Sequence, residues 1–423
     1  MDRGSRRGVV AWALYDWANS AFATTVMAGF FPVFFKAYWS AGADPTRSTF
    51  QLGAANSLAS AAVVLAAPVL GAVADRGGAK KRFLALFAAL GIATTGALFL
   101  VGQGRWLAAA ALYAVATVGF SGGNIFYDAL LVDVAPEDRV DFVSALGFAL
   151  GYLGGGLLFA LNVAMTQWPG AFGLADAGQA VRVSFVTVAG WWALFSIPLA
   201  LWVRERAPAR PSRGWTAWKE GFGQLAATFR KARQLRQVFL FLVGYWLYID
   251  GVDTIVRMAV DYGLSLGFAP GDLIRALLLT QFVGFPAAIL FGKLGERIGA
   301  KAGILVGIGV YVGVTAWGYQ MSQAWEFYAL AATIGLVQGG VQALSRSFYA
   351  RLVPPGQAAE FFGFYNMLGK FAAVLGPVLM GWVGVVTGNP RAAIFAVTAL
   401  LLAGAACLWR VDEEAGRRAA REL

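Results

Sequence analysis

The sequence predicts an all-α integral membrane protein, with twelve transmembrane helices in two six-helix halves of the same orientation. Three observations carry that prediction. The 423-residue chain is 59% hydrophobic and only 13% charged, about half the charge of a surface built to face water. Its apolar residues fall into twelve runs, each near the ~20 residues that cross a hydrocarbon core ~30 Å thick. A short loop motif after the second run recurs after the eighth.

The first run, 9–37, follows Arg3, Arg6 and Arg7. It is too long for a signal peptide, carries Asp16 and ends without a small-residue cleavage site, so it reads as a retained helix. Runs at 49–74, 83–102, 106–132, 142–166 and 182–203 complete a first half, 1–203. Even the glycine-rich stretch Gly151–Gly156 is expected to be helical, because in lipid the alternative is unpaired backbone. Residues 204–236 form the one long linker. There Trp215, Trp218, Phe222, Leu225 and Phe229 recur at helical spacing among basic residues, which predicts an amphipathic connector lying in the headgroup layer. Runs at 237–262, 272–294, 302–320, 326–350, 361–386 and 392–410 make a second half, 237–410, and 411–423 reads as a tail.

The charge balance of +11 is explained by topology. Of 34 basic residues, 26 fall at the N-terminus, on the even-to-odd connections, on the linker and at the C-terminus. By the positive-inside rule both termini are expected in the cytoplasm, and no nucleic-acid partner is expected. No organellar targeting segment is recognised, so a plasma membrane is expected. Histidine is absent and Cys407 is the single cysteine. Those absences remove the commonest general base, the thiol nucleophile with its partner, and any Cys/His metal centre. No enzyme, cofactor or metal is predicted.

The repeated loop is the most informative feature. Gly71-Ala-Val-Ala-Asp75-Arg76-Gly77-Gly78-Ala79-Lys80 and Gly292-Lys-Leu-Gly-Glu296-Arg297-Ile298-Gly299-Ala300-Lys301 both fit G-x-x-x-[D/E]-R-x-G-x-K, at an offset of 221. Gly71 and Gly292 permit close helix approach. Asp75 or Glu296, with Arg76 or Arg297, can pair across the turn or with a neighbouring helix end. Gly78 and Gly299 permit a left-handed turn, and Lys80 and Lys301 are expected at the headgroups. Asp16-x-x-Asn19-Ser20 likewise parallels Asp250-x-x-Asp253-Thr254. Six spans separate the copies, so the halves share one orientation.

The loop pair resembles the signature loop of the major facilitator superfamily. Trp12-Ala-Leu-Tyr-Asp-Trp-Ala-Asn-Ser-Ala-Phe22, Phe126-Tyr-Asp-Ala-Leu130, Gly151-Tyr-Leu-Gly-Gly155, Asp250-Gly-Val-Asp-Thr254, Ser345-Arg-Ser-Phe348 and Phe361-Phe-Gly-Phe-Tyr365 resemble, more narrowly, its vacuole-effluxer-like branch. The resemblance implies the major facilitator fold, alternating access, and a cavity lined by helices 1, 4, 7 and 10. Fungal members are associated with amino-acid export from the vacuole.

Ionisable groups inside a membrane are expensive and mark a pathway or a structural pair. The candidates are Asp16 and Asn19 on helix 1, Asn124, Tyr127 and Asp128 on helix 4, and Asp250, Asp253 and Thr254 on helix 7. Helix 10 adds Gln338, Gln342 and Arg346, and helix 11 adds Asn366 and Lys370. Asp253 and Arg257, four apart, can also simply neutralise each other. An acid with a lysine suits a zwitterion, its ammonium on Asp16 or Asp250 and its carboxylate on Lys370. The expected function is secondary transport of a small solute, an amino acid or a related metabolite, with protons carried by carboxylates, by a monomer in the bilayer. The alternatives are a lipid or amphiphile transporter and a transporter-like sensor.

Overall fold

The computed structural model describes residues 5–42, 45–206, 216, 235–265, 270–387 and 393–422. Apart from residue 216, the linker helix expected at 215–229 lies outside them. Among the described residues, twelve long helices follow one another in order. They are α1 Arg6–Trp39, α2 Pro45–Gly77, α3 Lys80–Leu100, α4 Trp106–Val134, α5 Val140–Gln167 and α6 Ala177–Trp202. The second half holds α7 Arg236–Ser265, α8 Pro270–Ile298, α9 Ala300–Gln320, α10 Ala324–Leu352, α11 Ala358–Thr387 and α12 Ala393–Trp409. The expected tail folds instead into a short helix, α13 Glu413–Arg421. Ten of the long helices are long and apolar enough to cross a membrane among the described residues.

Local chemistry sets the boundaries. The Ser5 hydroxyl accepts the Gly8 amide at 3.1 Å and starts α1. Asp176 accepts the Gln179 amide at 2.7 Å and starts α6. Side-chain oxygens supply acceptors for first-turn amides that have no intrahelical partner. Gly78 and Gly299 take positive φ, 57° and 85°, so the chain reverses tightly between α2 and α3 and between α8 and α9. Both glycines thus take a positive φ, although Gly299, with ψ of 146°, is extended rather than left-handed helical.

The two halves repeat each other's packing. α1 packs on α5 and α6, α4 on α2 and α3, and α3 on α6; α7 packs on α11 and α12, α10 on α8 and α9, and α9 on α12. The seam between halves has the same symmetry, with α2 against α11, α8 against α5, α4 against α11, and α10 against α5. Glycine makes the close approaches. A Cβ at Gly154 or Gly155 on α5 would run into Trp17 or the Ser20 backbone of α1. Leu86, Leu201, Leu290 and Phe395 lie exposed on the outside, as side chains facing lipid must. This is the twelve-helix, two-repeat membrane fold that the sequence predicts.

Candidate functional site

A buried polar cluster sits where the two halves meet. Its centre is Arg346 on α10, only 2% exposed. Arg346 Nη1 donates to Asp128 Oδ1 at 3.1 Å, Nε to the Ser144 hydroxyl at 2.9 Å and Nη2 to the Ser144 carbonyl at 2.7 Å. Asp16 Oδ2 lies 3.7 Å from Nη1. The guanidinium also faces the rings of Trp12, Tyr127 and Phe148, at 4.9, 5.3 and 4.3 Å. These partners all belong to α1, α4 and α5, so a second-half cation is held by first-half groups. The planar fork of arginine suits several acceptors at once, which a lysine could not match.

The acids are fixed in turn. Tyr127 donates its hydroxyl to Asp16 Oδ2 at 3.1 Å, and the Trp12 indole N–H donates to the Tyr127 carbonyl at 2.9 Å. Asn366 on α11 donates to Asp128 Oδ2 at 3.0 Å. Asn19, nearly one turn beyond Asp16, donates to Asn124 at 2.6 Å. Gly147 leaves the room: a Cβ there would press on the Tyr127 hydroxyl and the Arg346 guanidinium.

The repeat explains this meeting. α4 and α10 are each 29 residues long. Asp128 and Arg346 occupy the same position in their respective helices. A two-fold relation between halves brings equivalent positions face to face near its axis, and here they carry opposite charges. Asp16 and Asp250 also correspond. A Cβ on Gly151 of α5 would meet Ser20 and Asp16, and one on Gly376 of α11 would meet Thr254 and Asp250. Asp250 is fully buried and accepts the Gly376 amide at 3.0 Å. By symmetry, the counterpart of the Asp16–Arg346 contact would set Asp250 against Asp128, acid against acid. The cation therefore serves one copy of the repeat.

Of the sequence candidates, Asp16, Tyr127, Asp128, Arg346 and Asn366 come together, with Asn19 and Asn124 beside them. Asp250 and Thr254 form the matching corner of the second half, and Asp253 is half-buried three residues on. Gln338 and Gln342 are half-buried two turns and one turn before Arg346. The side chains of Lys370 and Arg257 lie outside the described residues. Ser144, Trp12 and Phe148 were not among the candidates. A serine and two aromatics in apolar runs give no signal in one dimension, although Trp12 stands in the opening motif. Arg346, near the inner end of α10, does not face the headgroups with the other basic residues of that side but is buried among acids.

Two seams join the halves on the face carrying the α2–α3, α4–α5, α8–α9 and α10–α11 turns. In the first, Asp75 accepts the amides of Ala359 and Glu360 at 3.1 and 2.9 Å, so an α2 acid caps the start of α11. Gly71 lets α2 approach so closely that a Cβ would overlap the Ala359 carbonyl. Lys80 does not reach headgroups as expected. It is buried, donating to Asp133 at 3.1 Å and lying 3.7 Å from Asp75. The first loop has one more residue between its glycine and the next helix, so Lys81 is the structural counterpart of Lys301. Lys81 donates to the Ala200 and Val203 carbonyls that end α6. Lys301 donates to those of Trp409 and Val411 that end α12. Both lysines cap a helix C-terminus, where positive charge is favoured.

In the second seam, Gly292 approaches Ala145 and Phe142 of α5, but Glu296 and Arg297 are exposed. Ser347 and Arg351 on α10 bind the Asp141 carboxylate at the start of α5 instead. Arg76 is half-buried at the end of α2. Asp75→Ala removes an acceptor for two amides and one partner of a buried lysine. It is expected to destabilise this closed arrangement by about 1–3 kcal/mol. Labelling of a cysteine placed at Ala358, in a Cys407→Ser background, should then rise, and unchanged labelling would refute the capping role.

The family model described as vacuole effluxer Atg22 like matches residues 46–421. The chain is 40% identical over 406 residues to an uncharacterized MFS-type transporter, YxiO, of Bacillus subtilis strain 168, covering 96% of this chain and 94% of that one. It is 29% identical over 310 residues to autophagy-related protein 22 of Yarrowia lipolytica, of which the match spans about half, 52%. Among solved structures it is similar to the human organic anion transporter MFSD10, with a TM-score of 0.74 at 16% identity, covering 95% and 99% of the two chains. The proton:xylose symporter XylE follows at 0.71 and 12%, covering 96% and 94%.

Proposed function

The chain belongs to the vacuole effluxer Atg22-like family of major facilitator transporters, and on that premise we propose that it moves a small zwitterionic solute, an amino acid or related metabolite, by alternating access coupled to protons. One observation carries this reading: Arg346 of the second half is satisfied by Asp128, Asp16 and Ser144 of the first. Parting the halves on that face would strip a buried cation from Asp128, which is buried, and Asp16, which is largely so. Each unpaired charge in such a site is costly. A zwitterion lying between them restores both pairings, its carboxylate on Arg346 and its ammonium on Asp16 and Asp128. This gives the carboxylate role, expected of Lys370, to Arg346. Two acids share one guanidinium, so the closed cluster carries an excess negative charge that a proton on Asp16 would neutralise. The basic face is taken as cytoplasmic from the sorting of Lys and Arg.

The test is binding to the purified protein of an amino acid, the amine it gives on decarboxylation, and the acid it gives on deamination. Loss of either charge-assisted pairing removes about 1.5–3 kcal/mol, or roughly 10–100-fold in affinity. Both truncated compounds should therefore bind far more weakly than the amino acid. Equal thermal shifts from all three would overturn the zwitterion reading.

A further inference from the structure

We infer that the C-terminal helix α13 is a clasp on the gate at the α4–α5 and α10–α11 turns, taking over in the second seam the part that Asp75 plays in the first. The repeat makes the need visible. Asp75 joins its half to the start of α11, whereas its counterpart Glu296 is exposed and the join falls to Arg351 and Asp141.

Arg351 is gripped from two sides. Its Nη2 meets Asp141 of the first half, and its Nη1 lies 3.7 Å from Glu413 of α13. Eight residues after Glu413, Arg421 reaches Glu137 of the first half at 3.3 Å. α13 therefore touches both sides of the seam, through Arg351 at its first turn and Glu137 at its last. It is rooted on the second half. The Asp412 carboxylate accepts the Ala415 amide at 2.9 Å and starts the helix, while the Asp412 amide donates to Gln237 of α7 at 2.9 Å. Gly416 and Ala420, one turn apart, form its buried face, and a Cβ at Gly416 would run into Leu352 of α10. A 62° bend from α12 lays α13 across the face rather than letting it run on. Beneath it lies a cavity of about 380 Å³, with Asp75, Lys80 and Glu137 on one wall and Arg351, Arg417 and Arg421 on the other.

The two contacts differ in strength in the way a releasable clasp requires. Arg351 and Asp141 are largely buried, 13% and 2% exposed, while Arg421 and Glu137 are 68% and 63% exposed. An exposed pair contributes little and is screened by salt. The outer catch therefore opens first, and Glu413 then sets how firmly Arg351 is held against Asp141.

The inference rests on alternating access, and its test needs no transported solute. Spin labels are placed at Asp138→Cys and Arg297→Cys, one in each half and both exposed, in a Cys407→Ser background. Distances are measured for the parent, for Glu413→Ala with Arg421→Ala, and for a chain ending at Val411. The population with the face parted should rise roughly two- to five-fold in both variants, the range that ion pairs of this exposure sustain. The exchange Glu137→Arg with Arg421→Glu should return it to the parent value. Unchanged distances in both variants, with the fold intact by circular dichroism, would overturn the clasp. Distances that shift as expected in a protein that transports no solute would overturn the transport reading and leave the clasp standing.

Discussion

Replacing Arg346 by alanine is expected to abolish transport and to destabilise the protein by about 3–5 kcal/mol, the cost of leaving a buried charge without its partner. The reason is geometric. Asp128 and Asp16 face the same guanidinium, so its removal leaves two largely buried acids opposed with no cation between them. Arg346→Lys keeps the charge and loses the fork. One ammonium cannot reach the Asp128 carboxylate, the Ser144 hydroxyl and the Ser144 carbonyl together, so stability should recover in part and transport should not. The double variant Arg346→Gln with Asp128→Asn separates the two effects. It replaces the closest ion pair by neutral groups but leaves the Asp16 carboxylate without its cation, so it should recover part of the lost stability while still removing the carboxylate site. Thermal unfolding in detergent and solute uptake into proteoliposomes read the two quantities. Uptake at the parent rate by Arg346→Ala would refute the central role of the cluster.

The second large effect is expected at Asp16. Asp16→Asn should insert and fold like the parent, because Asn keeps the acceptor for the Tyr127 hydroxyl at 3.1 Å, and Arg346 retains Asp128 and Ser144. What it loses is the second acid at the cation and with it the group proposed to carry a proton. A gradient of one pH unit is worth about 1.4 kcal/mol, or about tenfold accumulation per proton. The variant should lose that accumulation while still exchanging solute with solute at equal concentrations. Asp128→Asn, by contrast, removes the closest ion partner of Arg346 and should impair both processes. Accumulation at the parent level by Asp16→Asn would assign coupling elsewhere, with Asp250 the next acid to examine.

Five residues of the central cluster were legible as single residues. Asp16, Tyr127, Asp128, Arg346 and Asn366 are polar or ionisable inside apolar runs, and the cost of burying such groups makes them stand out without a structure. Their pairing was not legible, because Asp128 and Arg346 are 218 residues apart and hydropathy reads a charge near a helix end as facing water. The same assumption placed Lys80 at the headgroups, although Asp133 and Asp75 hold it in the interior. Ser144 was invisible because one hydroxyl in a helix usually bonds its own backbone. The Arg351–Asp141 seam was hidden because both residues lie at helix ends that the sequence assigns to solvent.

The sequence by itself determined the number of spans, the two-fold repeat and the sorting of basic residues toward one face. Those properties are local or periodic: each helix must satisfy its own backbone in lipid, and a duplicated loop shows itself wherever it falls. The tertiary structure alone decided that equivalent positions of α4 and α10 meet with opposite charges, that Lys81 rather than Lys80 matches Lys301, and that residues after α12 fold back over the seam. Each of these depends on how two halves are set against each other. That arrangement follows from the summed packing of the whole interface, including glycines such as Gly71 and Gly292 that let the helices close, and no stretch of sequence carries it alone.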